Sequence, residues 1–272
     1  DGLAQAGLFD QLVLHGAGGT NLTLGQGIVL TSGFVTHLPN SNTVSHYSNE
    51  TNTGGNNYFK DFPAQTGTSR HGGRLQEFDE NSLTFEFDVP NNVIGLRANF
   101  VYASEEFPEW SGTQFADGFV FLVDNTNYAT LPDGRPVSLL RQEDNIHFMP
   151  NFDPLNPAVP PVANLEYDGF SRVLDLTALL NPGHRNTITI AVGDTGDQIY
   201  DSAVFLSSFQ LIFDGESLPP TDLGVKLRHK SGEDEPFREF GASTSTTVPE
   251  PGSLLLLGSG LAGLAAWRRA RG

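Results

Sequence analysis

The stretch Leu83-Thr-Phe-Glu-Phe-Asp-Val89 constrains this chain more than any other, because apolar and polar residues alternate through it without a break. Successive side chains of an extended strand point to opposite faces. Leu83, Phe85, Phe87 and Val89 therefore lie on a core while Thr84, Glu86 and Asp88 meet water. Pro90-Asn-Asn92 follows as a turn. Ile94 to Ala103 predicts a second strand, with Ile94, Leu96, Ala98, Phe100 and Tyr102 on one face. Gly118-Phe-Val-Phe-Leu-Val123 is apolar almost throughout, which predicts a central strand buried on both faces. Val137 to Leu140 reads as a short strand, and Asn186 to Val192 alternates again. Ser202 to Phe213 reads as a long closing strand. Arg172 to Leu180 fits either a strand or a helical turn. Asn151 to Val162 is proline-rich and reads as a loop. So does Leu38 to His71, where Asn, Ser, Thr and Gly dominate. No helix of useful length is predicted in this body. The expected fold is all-β, a sandwich or jelly-roll-like single domain over residues 1–216. A linker over 217–247 and a short hydrophobic helix within 248–272 follow it.

The chain contains no Cys, which removes disulfides, thiolate–zinc sites and Cys nucleophiles together. Its stability must come from core size or from a bound metal. It carries 32 acidic and 15 basic residues, a net charge of −17. Phosphate backbones need a positive footprint, so nucleic acid is excluded as a partner. Anionic lipid surfaces are disfavoured for the same reason. An acidic chain suits solubility outside the cell and the binding of divalent cations.

Three acidic clusters carry the candidate chemistry. Glu105 and Glu106 stand at a strand end, and Asp117 precedes the apolar strand. Asp194, Asp197 and Asp201 share a glycine-bearing loop. Calcium takes about six to eight oxygen ligands, which carboxylates on short loops supply. If these loops share one end of the sandwich, their carboxylates converge, and a cation, expected to be calcium, offsets the repulsion. The plainer reading is Asp residues capping turns in water. Glu105, Glu106 and Glu109 also suggest a glycosidase, with Trp110 as a sugar platform. Neighbouring strand residues face opposite ways, which argues against that pairing. Ser104 and His147 lack the Gly-x-Ser-x-Gly elbow of a hydrolase. His15, His37, His46 and His71 lack metal-ligand spacing, and Gly16-Ala-Gly-Gly19 precedes no βα unit.

The last residues run in three parts: Pro249-Glu250-Pro251, an apolar and small-residue run from Gly252 to Trp267, and a basic cluster of Arg268, Arg269 and Arg271. The apolar run is shorter than the roughly 20 residues of an ordinary spanning helix but lodges in a locally thinned membrane. Arginines stay on the cytoplasmic side, so the body lies outside. This tail resembles the PEP-CTERM sorting signal, which implies cleavage near the Pro-Glu-Pro triplet by an exosortase-type membrane protease. The chain opens on Asp-Gly-Leu-Ala with no basic start or apolar run, and is expected to begin after removal of an export signal.

The body carries, in order, Gly27-Ile-Val-Leu-Thr-Ser-Gly33, Tyr102-Ala-Ser-Glu-Glu-Phe107, Asp117-Gly-Phe-Val-Phe-Leu122, Leu131-Pro-Asp-Gly134 with Val137-Ser138, Gly193-Asp-Thr-Gly-Asp197 and Asp201-Ser-Ala-Val-Phe-Leu206. This series resembles the choice-of-anchor L domain over Gln5 to Gly215. The segment between Leu38 and His71 is longer than that pattern. The resemblance implies an extracellular adhesive or matrix module at the cell surface and supplies no catalytic mechanism. The expectation is a non-enzymatic surface protein, held transiently by its tail, with matrix polysaccharide and self-association into filaments as candidate interactions. A carbohydrate-binding module using Trp110, Tyr58 and Tyr47 is the alternative, and a polysaccharide hydrolase using paired carboxylates the third reading.

Overall fold

The structure, a computed structural model, describes residues 5–16, 21–35, 42, 44, 46–67, 75–115, 117–151 and 161–216. The sorting residues Pro249, Glu250, Pro251, Arg268, Arg269 and Arg271, the linker and the apolar run lie outside these, as do His37 and His71. Among the described residues no helix is long and apolar enough to cross a membrane.

The first strands are β1 (Ala6–Phe9), β2 (Leu12–His15), β3 (Asn21–Leu24) and β4 (Gly27–Thr31), followed by one short helix, α1 (Phe62–Thr66). Next come β5 (Glu77–Asp88), β6 (Val93–Ser104), β7 (Gly118–Val123), β8 (Thr126–Asn127), β9 (Val137–Ser138) and β10 (Phe148–Pro150). The last are β11 (Gly169–Ser171), β12 (Leu174–Leu179), β13 (Arg185–Thr195) and β14 (Ser202–Phe213). A seven-stranded sheet runs β1-β4-β14-β6-β11-β10, with β12 also paired to β6. A five-stranded sheet runs β5-β13-β7-β8, with β9 paired to β7. All these pairings are antiparallel. The all-β sandwich read from the sequence is the fold observed.

Alternation assigns the faces. Phe100, Tyr102, Val204 and Leu206 of the large sheet meet Phe119, Phe121, Ile188 and Ile190 of the small one in the main core. The odd-numbered neighbours Val101, Ala103, Ala203 and Phe205 point the other way. They pack under Leu12, Leu14 and Leu24 of the β2–β3 hairpin and under Val162, Ala163 and Tyr167. The central strands of the large sheet are thus buried on both faces, which takes Ser104, Glu105 and Ser202 out of water.

Local exceptions have local causes. Val93 is buried and Ile94 only half so, because the ladder to β14 shifts between Ile212 and Phe213 and sets Phe213 opposite Val93. Leu174–Leu179 is a strand, its register fixed by pairing with β6 from Leu96 to Phe100. Strands β1 to β3 are four residues each, too short for a period to show in the sequence. Within the segment expected to be a surface loop, Phe59 and Phe62 are buried in the core. Gly118 makes room for them, since a Cβ there would stand 2.9 Å from each ring.

Asn151 pins the cover of the outer face. Its amide nitrogen donates to the Leu165 and Tyr167 carbonyls (3.0 and 2.9 Å), and its oxygen accepts from Val162 and Ala163 N–H (2.7 and 3.2 Å). Each buried polar group left without a partner costs about 1–3 kcal/mol. Asn151→Ala is expected to lower stability by about 2–3 kcal/mol. A denaturant titration with a lowered midpoint and unchanged slope would show it.

Candidate functional site

The end of the sandwich where β6 and β13 finish and β7 and β14 begin collects the acidic residues. Ser202 pairs with Ser104 across β14 and β6, and Gly193 with Gly118 across β13 and β7. Asp117 and Asp194 continue the inward parity of Phe119 and Val192. Glu106 continues that of Tyr102 and Ser104. These three carboxylates enter the space between the sheets, and each is almost wholly buried.

Asp117 is well partnered. It accepts from Thr195 N–H (3.1 Å) and from the Ser202 hydroxyl (2.6 Å), which in turn accepts from the Tyr102 hydroxyl (3.1 Å). Glu106 and Asp194 are not: none of their four carboxylate oxygens, all buried, has a hydrogen-bond partner. The Asp117 N–H near Glu106 and the Ser32 hydroxyl near Asp194 favour the charged forms, but neither reaches hydrogen-bond geometry with the carboxylate, and the Ser32 hydroxyl donates instead to the Ser202 carbonyl (3.4 Å). Burial pushes all three acids well above the ordinary carboxylate range, and the Asp117 charge raises Glu106 and Asp194 further. An unpaired buried carboxylate is costly, so the arrangement demands either a proton or a cation. Among the described residues no three His, Asp or Glu side chains already form a metal cage.

The other predicted ligands go elsewhere. Glu105 turns to the outer face of the large sheet, opposite to Glu106, and accepts from Tyr47 N–H (2.7 Å). Asp201 shares that outer face and accepts twice from Asn49, at 2.9 Å from N–H and 2.9 Å from the side-chain amide. Burial still lifts Asp201 to about 6. Gly33 is required beside it, because a Cβ there would stand 1.8 Å from Asp201 Oδ2. Asp197 is at the rim, accepting from Ile199 N–H (3.0 Å). Its charge reaches Glu106, which it raises.

What the sequence did not disclose is a strap. The described part of 42–59 crosses these carboxylates with its N–H groups turned toward them. Val44 donates to Glu166 (2.7 Å), Thr51 to Asp79 (3.1 Å), and Tyr58 and Phe59 to Glu77 (2.9 and 2.7 Å). Asn56 donates to Glu80 from its backbone (2.5 Å) and its amide (2.7 Å). Apart from an antiparallel bridge between Gly54 and Phe78, the described residues of this segment form no strand, and their backbone donors are met largely by side chains. The only trace in the sequence is that both clusters, Glu77-Phe-Asp-Glu80 and Glu166-Tyr-Asp168, sit beside apolar strand residues.

Trp110 is 38% exposed. Its ring lies 6.2 Å from that of Tyr200 at a 33° tilt and edge-on to Phe115 at 5.7 Å. Tyr47 is turned edge-on to Tyr167 and Tyr58 packs on the core, so neither forms a platform with it. The Ser104 hydroxyl accepts from Glu106 N–H, and the His147 ring pairs with Asp133.

The model of the choice-of-anchor L domain matches residues 4–210. The chain belongs to the choice-of-anchor L domain family. Residues 247–270 match the PEP-CTERM protein-sorting motif. This choice-of-anchor L protein is therefore exported and sorted to the cell surface, and its tail is a substrate for an exosortase-type system. Comparison with curated proteins and with solved structures returns no match.

Proposed function

We propose that this choice-of-anchor L protein is a non-enzymatic adhesive or matrix module whose loop end is locked by a calcium ion at Glu106, Asp117 and Asp194. The observation that carries the reading is the set of buried, unpaired oxygens on Glu106 and Asp194 beside the buried Asp117. Calcium suits them because it is a hard ion that prefers carboxylate oxygens and tolerates irregular geometry. Bound there, it ties the ends of β6 and β13 to the start of β7. The loops that leave those ends carry Trp110 and Tyr200. A rigid loop end then presents a fixed aromatic face to an extracellular partner. Glu105 and Glu106 face opposite sides of β6, which is no geometry for two carboxylates flanking one scissile bond.

The Trp110–Tyr200 pair favours a second reading, that the partner is a matrix polysaccharide, since sugar rings stack on exposed aromatic faces. Retention of the full chain on a column of matrix glycan, in calcium and then in EGTA, separates the readings. Calcium-dependent retention lost in Trp110→Ala supports the glycan. No retention in either buffer leaves adhesion to protein or to a second copy. For the tail, replacing Pro249, Glu250 and Pro251 by Ala is expected to leave the chain unprocessed. Intact mass from the producing cell reads this directly, and normal processing would show that the triplet is not the recognised element.

A further inference from the structure

The buried oxygens that lack a partner outside the site just described include Oε2 of Glu105 and Oδ1 of Asn42. Glu105 is 1% exposed and Asn42 5%. They stand together, because the Asn42 amide donates to Asp168 Oδ1 (2.5 Å) and the charges of Asp168 and Glu166 both act on Glu105. Glu166 and Asp168 are themselves buried. Burial, and after it the Asp168 charge, pushes Glu105 up to about 10. Three carboxylates and one amide oxygen thus lie near one another on the outer face of the large sheet, under the first residues of the strap, with Asn42 and Asp168 in direct contact.

We propose that a second divalent cation of the calcium type binds here, held by Glu105, Glu166, Asp168 and the side-chain oxygen of Asn42. It clasps the strap to the sheet. Asn42 belongs to the strap, Glu105 to the end of β6, and Glu166 and Asp168 to the segment that covers the outer face. The ion joins three pieces of chain far apart in sequence, and neutralises acids that otherwise repel. Side-chain oxygens must move to complete it, as no ready cage is present among the described residues. This site does not depend on the first, since the two lie on opposite faces of β6.

Calcium binding to the full chain, by equilibrium dialysis, together with hydrogen exchange at the Val44 and Tyr47 amides, tests it. Asp194→Asn removes the first site and is expected to keep one bound calcium per chain. In that variant calcium should still slow exchange at Val44 and Tyr47 by roughly tenfold or more. Asn42→Leu and Glu105→Gln should each lose that protection while calcium still stabilises through the first site. Asn42→Asp keeps an oxygen ligand and should keep the protection, now wholly dependent on calcium. A melt in EGTA checks that each variant is folded. Asp194→Asn with no bound calcium, or with exchange at Val44 and Tyr47 unmoved by calcium, overturns the second site whatever the first one does. Wild type with a single calcium that survives Asp194→Asn supports this site and removes the other.

Discussion

Calcium at about 1,000 times its dissociation constant is expected to raise the melting temperature of the full chain by about 10 °C over the same sample in EGTA. Saturation of that order adds about 4 kcal/mol to the folded state, and a domain of this size gains about 2–4 °C per kcal/mol. Asp194→Asn should abolish the part of the shift that belongs to the inner site. In EGTA the variant should melt at or above wild type, because it removes a buried carboxylate that has no partner. Loss of stability in both buffers would instead mark Asp194 as a structural acid with partners of its own. Identical wild-type melts with and without calcium would remove the cation reading altogether.

The same acids set a pH dependence with a defined sign. Glu106, Asp117 and Asp194 have folded values raised well above the ordinary range, chiefly by burial. The cation-free folded state therefore holds more protons than the unfolded chain between the unfolded value and the folded one. Stability must fall as pH rises across that interval. In EGTA the melting temperature is expected to drop from about pH 5 to about pH 8, and saturating calcium should flatten that drop or reverse it, since the bound ion keeps the acids charged. A chelated protein that instead gains stability over this range would show that these acids are already ionised and paired.

The second large effect is mechanical. Phe119→Ala is expected to cost about 3–5 kcal/mol, the usual range for deleting a fully buried aromatic ring. Phe119 is fully buried, and its ring lies 5.1 Å from that of Phe100 on the facing sheet. That contact holds the two sheets together close to Asp117, so the truncation should also weaken calcium binding. Phe85→Ala is the control: Phe85 sits on the same small sheet but is only half-buried, and less should be lost. Denaturant midpoints for the two variants decide the matter. A cost near or below that of Phe85→Ala would mean that the sheets are held elsewhere.

The fold was legible because alternation is a local property. Phe85 and Phe87 reach the core and Glu86 and Asp88 reach water whatever their neighbours are. The ends of β14 coincide with the apolar run Ser202 to Phe213. Ile94 was misplaced because a register shift depends on the partner strand, which no local pattern contains. The segment before His71 was read as a surface loop on its Asn, Thr and Gly content. Composition reports only that these residues form no ladder. It does not report that Glu77, Asp79 and Glu80 receive their N–H groups.

The sequence by itself determined an all-β body, the inward set of side chains on each long strand, an acidic character and a sorting tail, because each of these is written in residues close along the chain. Only the tertiary structure decided which acids meet. Glu105 and Glu106 are neighbours in the chain, yet the pleat of β6 sends one to the strap and the other between the sheets. Asp117 and Asp194 are distant in the chain, yet the register of β7 against β13 brings them together. Whether a buried carboxylate has a partner depends on such long-range pairings.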